Sequence, residues 1–177
     1  ARLEDVVGQE HLIGPDGALM RLVQSGSLGS LIFWGPPGTG KTTLARLLAN
    51  ATQLEFAQIS AIFTGVAELK KVFEQARARR AVGRGTLLFV DEIHRFNKSQ
   101  QDSLLGAVEK GIITLIGATT ENPSFEVISA LLSRCQVYVL QPLEEAHLKQ
   151  LVNRAFEEDE WLKKSEVNIK EWGALLQ

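Results

Sequence analysis

The chain has one cysteine, Cys135, in 177 residues. No disulfide can form within it, which suits a reducing compartment. No apolar run approaches the roughly 18 residues needed to cross a bilayer as a helix, so a membrane span is not expected. The opening stretch, ARLEDVVGQE, is too charged to be the apolar core of a signal peptide. Neither sign of charge dominates, with 19 basic against 21 acidic side chains. No global field advertises nucleic acid, and any DNA contact needs a local patch or an oligomer that concentrates one. Internal repeats and low-complexity tracts are also missing.

What is present is a core-forming sequence, 45% hydrophobic, enough for one domain and a small second one. Short apolar runs at 31–34, 56–60, 86–90, 112–118 and 136–140 read as buried strands. Helical spacings lie between them. Leu44, Leu47, Leu48 and Ala51 share one face, Val66, Leu69, Phe73 and Ala76 another, and Leu104, Leu105 and Val108 a third. This rhythm predicts an α/β domain with a five-stranded parallel sheet sandwiched by helices. After Pro142 only helical patterns follow, so a boundary is expected near Leu143. That divides the chain into an α/β domain at 1–143 and the beginning of a helical domain at 144–177. The absence of an initial methionine and the unpartnered apolar ending, KEWGALLQ, read as a piece of something longer.

The strongest chemical signal is GPPGTGKTT at 35–43, between a strand pattern and a helix pattern. It satisfies the phosphate-loop spacing G-x-x-x-x-G-K-[ST]. Gly38 and Gly40 let the backbone wrap an anion so that N–H groups and a helix N-terminus face it. Lys41 can bridge β- and γ-phosphate oxygens, and the Thr42 hydroxyl can ligate Mg²⁺.

A second signal is LLFVDEIH at 87–94. Asp91 and Glu92 fall at the C-terminal end of an apolar strand, where open α/β sheets place their ligand crevice. Adjacent carboxylates repel unless a cation or separate roles divide them. Asp91 is therefore expected toward Mg²⁺ and Glu92 toward the attacking water. DEIH also fits the D-E-x-H box of a helicase class, but such helicases use a second similar domain, for which these 177 residues have no room unless a further part supplies it. His94 reads as a structural or supporting residue. In the third signal, ITLIGATTENPSF at 113–125, Thr119 and Thr120 end a strand where a hydroxyl can touch the γ-phosphate or hold the water.

The stretch LLSRCQVYVL at 131–140 puts Arg134 between a helix pattern and a strand pattern. An isolated arginine there is ordinarily a cap or a surface salt bridge. Arg77, Arg79, Arg80 and Arg84 follow one helix, and Arg95 and Lys98 follow the acidic pair. They offer charge for a phosphate backbone, or simply a solvated face. Phe96 is the one aromatic interleaved with them, which is no base-stacking platform.

Together GPPGTGKTT, DEIH and GATTENP resemble the Walker A, Walker B and sensor 1 elements of AAA+ ATPases. The longer phrases FVDEIHRFNKSQQD, LIGATTENPSFEVISALLSRC and LEDVVGQEHLIG narrow the likeness. They resemble the clamp-loader-like replication-associated recombination protein A family, bacterial relatives of Werner-helicase-interacting protein. The likeness runs from about Leu3 to Leu143. Clamp-loader subunits and the Holliday-junction branch-migration motor are the next nearest.

The resemblance implies a P-loop NTPase of the AAA+ type with a helical lid. Val7 and Gly8 match the segment lining the adenine pocket. Pro37, Gly38, Thr39, Gly40, Lys41, Thr42 and Thr43 match the nucleotide-binding loop. Thr42 and Asp91 match the Mg²⁺ side, Glu92 the catalytic base, and Thr120 (with Thr119 as the alternative) sensor 1. Ser133, Arg134 and Cys135 match a motif whose arginine enters the neighbouring subunit's ATP site, so Arg134's target would lie on another chain. The family's sensor 2 arginine lies beyond the last residue, and the lid is expected to be incomplete.

The implied function is Mg²⁺-dependent ATP hydrolysis in fork maintenance, recombination and repair. Its expected partners are a homo-oligomer, fork or gap DNA read through its backbone, and single-strand-binding protein or other replication proteins. The implied setting is the bacterial cytoplasm, associated with the nucleoid and with no membrane. The alternatives are a clamp-loader subunit, a branch-migration motor, or a nucleotide-gated adaptor that recruits replication proteins.

Overall fold

The computed structural model describes residues 28–140, together with Arg21 and Gln24. These fall in two compact units. One contains Gly35–Thr52, and the other Gly29–Trp34 and Gln53–Val139.

The second unit is built on five parallel strands. These are β1 (Ser30–Trp34), β2 (Glu55–Ser60), β3 (Thr86–Asp91), β4 (Thr114–Thr119) and β5 (Cys135–Val139), in the order β2-β3-β4-β1-β5. Successive residues of a strand point to opposite faces. Leu31, Ile32 and Phe33 of β1 are all 0% exposed, as are Leu87, Leu88, Phe89 and Val90 of β3, so both faces of the middle strands are covered. That is why these strands read as unbroken apolar runs.

Two features differ from the sequence expectation. The fourth strand starts at Thr114 and runs through Thr119, so Ile112 and Ile113 pack in the core before it rather than within it. The fifth strand is an edge, and Val137 and Val139 are 40% and 55% exposed. An apolar run does not reveal which strand a sheet places last.

Between the strands, Lys41–Ala51 forms α1, Val66–Ala81 α2, Lys98–Glu109 α3, Pro123–Glu126 α4 and Ser129–Leu132 α5. Helix α1, in the first unit, buries Leu44, Leu47, Leu48 and Ala51 as their spacing predicts. Helix α2 buries Leu69, Phe73 and Ala76, but Val66 in its first turn is 53% exposed. It lies on the rim of a groove of about 280 Å³ between α2 and α3.

Helix α3 starts in a capping box. Asn97 Oδ1 accepts from the Gln100 amide at 2.8 Å, and Gln100 Oε1 accepts from the Asn97 amide at 3.0 Å. Its buried face is Gln101, Leu104 and Ala107, while Leu105 and Val108 are only partly buried. Gln101 is tolerated inside because its amide is fully used. It donates to the carbonyls of Phe96 and Glu126, both at 3.1 Å, and accepts from the Ile128 amide at 2.8 Å.

Candidate functional site

In the loop, Gly38 and Gly40 have φ of +84° and +79°. A side chain in that left-handed region costs roughly 1–2 kcal/mol, so glycine at both positions is a conformational requirement. Gly40 is also the N-cap of α1; it makes no side-chain cap, and the first turn carries no acidic residue. The first amides of any helix find no acceptor within it, and here the N-cap supplies no side chain to take them. Lys41 Nζ donates to the carbonyls of Gly35 at 2.6 Å and Pro36 at 3.1 Å, which holds its ammonium over the loop. The Thr39 hydroxyl is buried with no hydrogen-bond partner. A buried orphan hydroxyl and uncapped amides beside a lysine are the donor set that phosphate oxygens satisfy. Pro37 and Gly38 are exposed, and Thr42 and Thr43, in the first turn of α1, are half-buried.

At the other unit's sheet edge, β3 ends at Asp91, beside Ser60 at the end of β2. Glu92 follows with φ 56° and ψ 44°, a left-handed conformation that a side-chain-bearing residue rarely adopts. Such strain, about 1–3 kcal/mol, persists only where the surroundings over-determine it. Here the chain turns into a 3₁₀ turn, Ile93–Arg95, whose Ile93 is fully buried. A Cβ on Gly117 of β4 would lie 2.8 Å from Ile93 Cδ1, so Gly117 is what lets the turn lie against β4.

The turn brings His94 between two strand ends. Its Nε2 is 3.2 Å from Glu92 Oε2, and its Nδ1 is 2.9 Å from Thr119 Oγ1. Thr119 is 1% exposed and ends β4. Its hydroxyl accepts from the Glu121 amide at 3.0 Å and can donate to the Glu121 carbonyl at 3.1 Å. Thr120 follows the strand and is half-buried.

Arg134 precedes β5. Its side chain is 56% exposed and pairs with Glu109 of α3, Nη2 to Oε2 at 2.7 Å. The pair uses one of the five guanidinium donors. Cys135, next in the chain, is partly buried, and desolvation pushes its thiol up to about 11.

Much of the basic run is bound into the fold. Arg79 donates to Thr86 at 3.2 Å, Arg80 to the Lys110 carbonyl at 2.7 Å, and Arg84 pairs with Glu55 at 2.7 Å. Arg77 lines the α2–α3 groove with Lys70 and Lys110. Phe96 is 3% exposed and belongs to the core, whereas Phe63 and Phe125 are 80% and 82% exposed.

Val7 and Gly8, the boundary near Leu143 and the helical segment lie outside the described residues. Among those described, no group of three or more His, Cys, Asp or Glu side chains could hold a metal. Thr42 and Asp91, expected on the Mg²⁺ side, lie one in each unit. No described helix is long and apolar enough to cross a membrane.

Sequence reasoning missed Gln101, Glu109 and Glu121. No local pattern marks them, because their partners lie elsewhere in the chain or on the main chain. His94 was visible in DEIH, but its bond to Thr119 spans 25 positions.

A parallel α/β sheet of this order, with a glycine-rich loop issuing from β1 and acidic and hydroxyl residues at strand C-termini, defines a P-loop nucleoside-triphosphatase fold. The chain belongs to the ATPase family associated with various cellular activities (AAA), whose family profile matches residues 31–143. It is 51% identical over 156 residues to replication-associated recombination protein A of Escherichia coli K12, covering 88% of this chain and 35% of that protein. It is 50% identical over 155 residues to the ATPase WRNIP1 of Dictyostelium discoideum, covering 88% of this chain and 18% of that one. Among solved structures it is similar to the RuvB Holliday junction branch migration motor of Thermotoga maritima. That match has a TM-score of 0.60 and 30% identity, and covers 88% of this chain and 51% of the other. The chain thus spans about a third of the length of the recombination protein A relatives it matches.

Proposed function

We propose that this chain is the nucleotide-hydrolysing part of an oligomeric ATPase that acts on DNA or replication proteins at forks and gaps. The observation that carries the reading is the loop. Left-handed Gly38 and Gly40, a helix start with no side-chain cap, the partnerless Thr39 hydroxyl and the Lys41 ammonium form a cradle that suits a triphosphate. The names of the relatives, from replication-associated recombination proteins to a branch migration motor, support placing that hydrolysis in DNA maintenance.

In this reading Lys41 leaves its loop carbonyls to neutralise β- and γ-phosphate oxygens. Thr42 and Asp91 would hold Mg²⁺, which would supply charge neutralisation on the phosphates. Glu92 accepts the proton of the attacking water, and a strand-end threonine orients that water. Thr119's hydroxyl is bonded to His94 and Glu121, which suits a supporting role and leaves Thr120 to face the nucleotide. Arg134 acts on the ATP of a neighbouring subunit, exchanging Glu109 for transferring-phosphate charge. Intact Glu92 and Arg134 beside Lys41 support an active ATPase over a nucleotide-gated adaptor, which must bind ATP but has less need to hydrolyse it.

Two measurements on the full-length protein test this. Turnover across a panel of fork, gap and duplex-end DNAs should rise on DNA with single-strand ends; a flat response would remove the DNA half of the proposal. Arg134→Ala alone should lose ~10³–10⁵ in rate, as arginine fingers do, with ATP affinity kept. Mixing it with Glu92→Gln subunits, under demonstrated exchange, should restore part of the activity. An inactive mixture would place Arg134's role within its own chain.

A further inference from the structure

We infer that His94 is a positioning residue for the hydrolytic carboxylate, joining Glu92 to the end of β4 through Thr119. The inference rests on the reading of Glu92 as the base.

A carboxylate only accepts hydrogen bonds, so the ring nitrogen 3.2 Å from Glu92 Oε2, Nε2, carries a hydrogen. A neutral ring then has its lone pair on Nδ1. The group 2.9 Å away, the Thr119 hydroxyl, can donate to it. Thr119 meanwhile accepts from the Glu121 amide, which fixes the oxygen from behind. The result is one connected chain, in which the Glu121 main chain holds Thr119 through its amide and carbonyl, Thr119 bonds His94 Nδ1, and His94 Nε2 meets Glu92.

Burial makes the chain selective. The His94 side chain is 8% exposed, Thr119 is 1% exposed, and the Glu92 side chain is 29% exposed. The anchor is dry while the carboxylate reaches solvent, so the bond to His94 engages Oε2 and leaves Oε1 for a water. Glu92 sits between the end of β3 and the 3₁₀ turn with a left-handed backbone, and that turn, which carries His94, is pinned on Gly117 through Ile93. His94 thus supplies orientation to the carboxylate. Misplacing a reacting group by about 1 Å can cost on the order of 10² in rate.

The test uses the full-length protein, with ATP turnover and ATP affinity measured separately. His94→Ala should lower kcat roughly 10- to 100-fold while KM and ATP affinity stay within about threefold, the signature of lost orientation rather than lost binding. His94→Gln, which keeps an N–H donor, should recover part of kcat. Thr119→Val should also lower kcat, and combining it with His94→Ala should add little, because both break one chain. A His94→Ala enzyme with near-normal kcat, beside an inactive Glu92→Gln, overturns the positioning role and leaves the base in place. Normal turnover in Glu92→Gln removes the base and the inference together. Equal losses in His94→Ala and His94→Gln that follow the fall in melting temperature, and add to those of Thr119→Val, assign His94 to structure alone.

Discussion

The phosphate loop and the sheet edge at β3 and β4 meet the same kind of demand in opposite ways. The loop is made of backbone: two left-handed glycines, an uncapped helix start and a lysine resting on main-chain carbonyls. The edge is made of side chains, with Glu92, His94 and Thr119 bonded in series and the last two buried. Backbone amides present donors without needing distant partners, which suits holding an anion of fixed shape. A carboxylate that must aim at a water needs an orienting partner, and that partner has to be packed against something. The loop's chemistry is therefore local, and the edge's chemistry is built by the fold.

This contrast predicts that the two regions fail differently. Lys41→Ala should abolish ATP binding by calorimetry on full-length protein, since Lys41 is the loop's only side-chain cation; unchanged affinity would break the comparison at its first term. Glu92→Gln should do the reverse, keeping Mg-ATP binding while losing ~10²–10⁴ in turnover, because an amide cannot take the water's proton. Binding lost in both variants would mean that the regions do not divide the work.

Gly117→Ala sharpens the contrast further. The added Cβ meets Ile93 at 2.8 Å. Overpacking of this kind costs about 1–3 kcal/mol and should displace the turn carrying His94. Chemical denaturation should report the loss, and turnover should fall more than ATP affinity. The opposite pattern would show that the edge also serves binding.

The smallest effect lies outside both regions. Burial raises the Cys135 thiol from 9.0 to about 11, so it is neutral at physiological pH. Its thiolate fraction should be roughly 100-fold below that of an unshifted thiol, and alkylation of native protein should be correspondingly slow. The unfolded thiol releases its proton at the lower pH. This group's contribution to stability is therefore complete below about 9 and declines as pH rises toward about 11. Rapid native labelling at neutral pH would contradict the buried placement.

From the sequence alone, the strands, the loop and the chemical identity of the acidic and hydroxyl residues were legible. Each is a local property: an apolar run long enough for a buried strand, glycines where φ must be positive, a lysine and threonine at fixed offsets. Helix faces were legible wherever the whole helix packs, as for α1, and failed at a helix start, where Val66 is exposed. The tertiary structure alone decided the strand order, which makes β5 an edge and exposes Val137 and Val139. It also decided that Gln101 is fully bonded inside the core, that Arg134 rests on Glu109, and that His94 reaches Thr119. These depend on which distant segments the sheet brings side by side. No periodicity encodes that, because a side chain's hydrogen-bond partner is chosen by position in space and not by spacing along the chain.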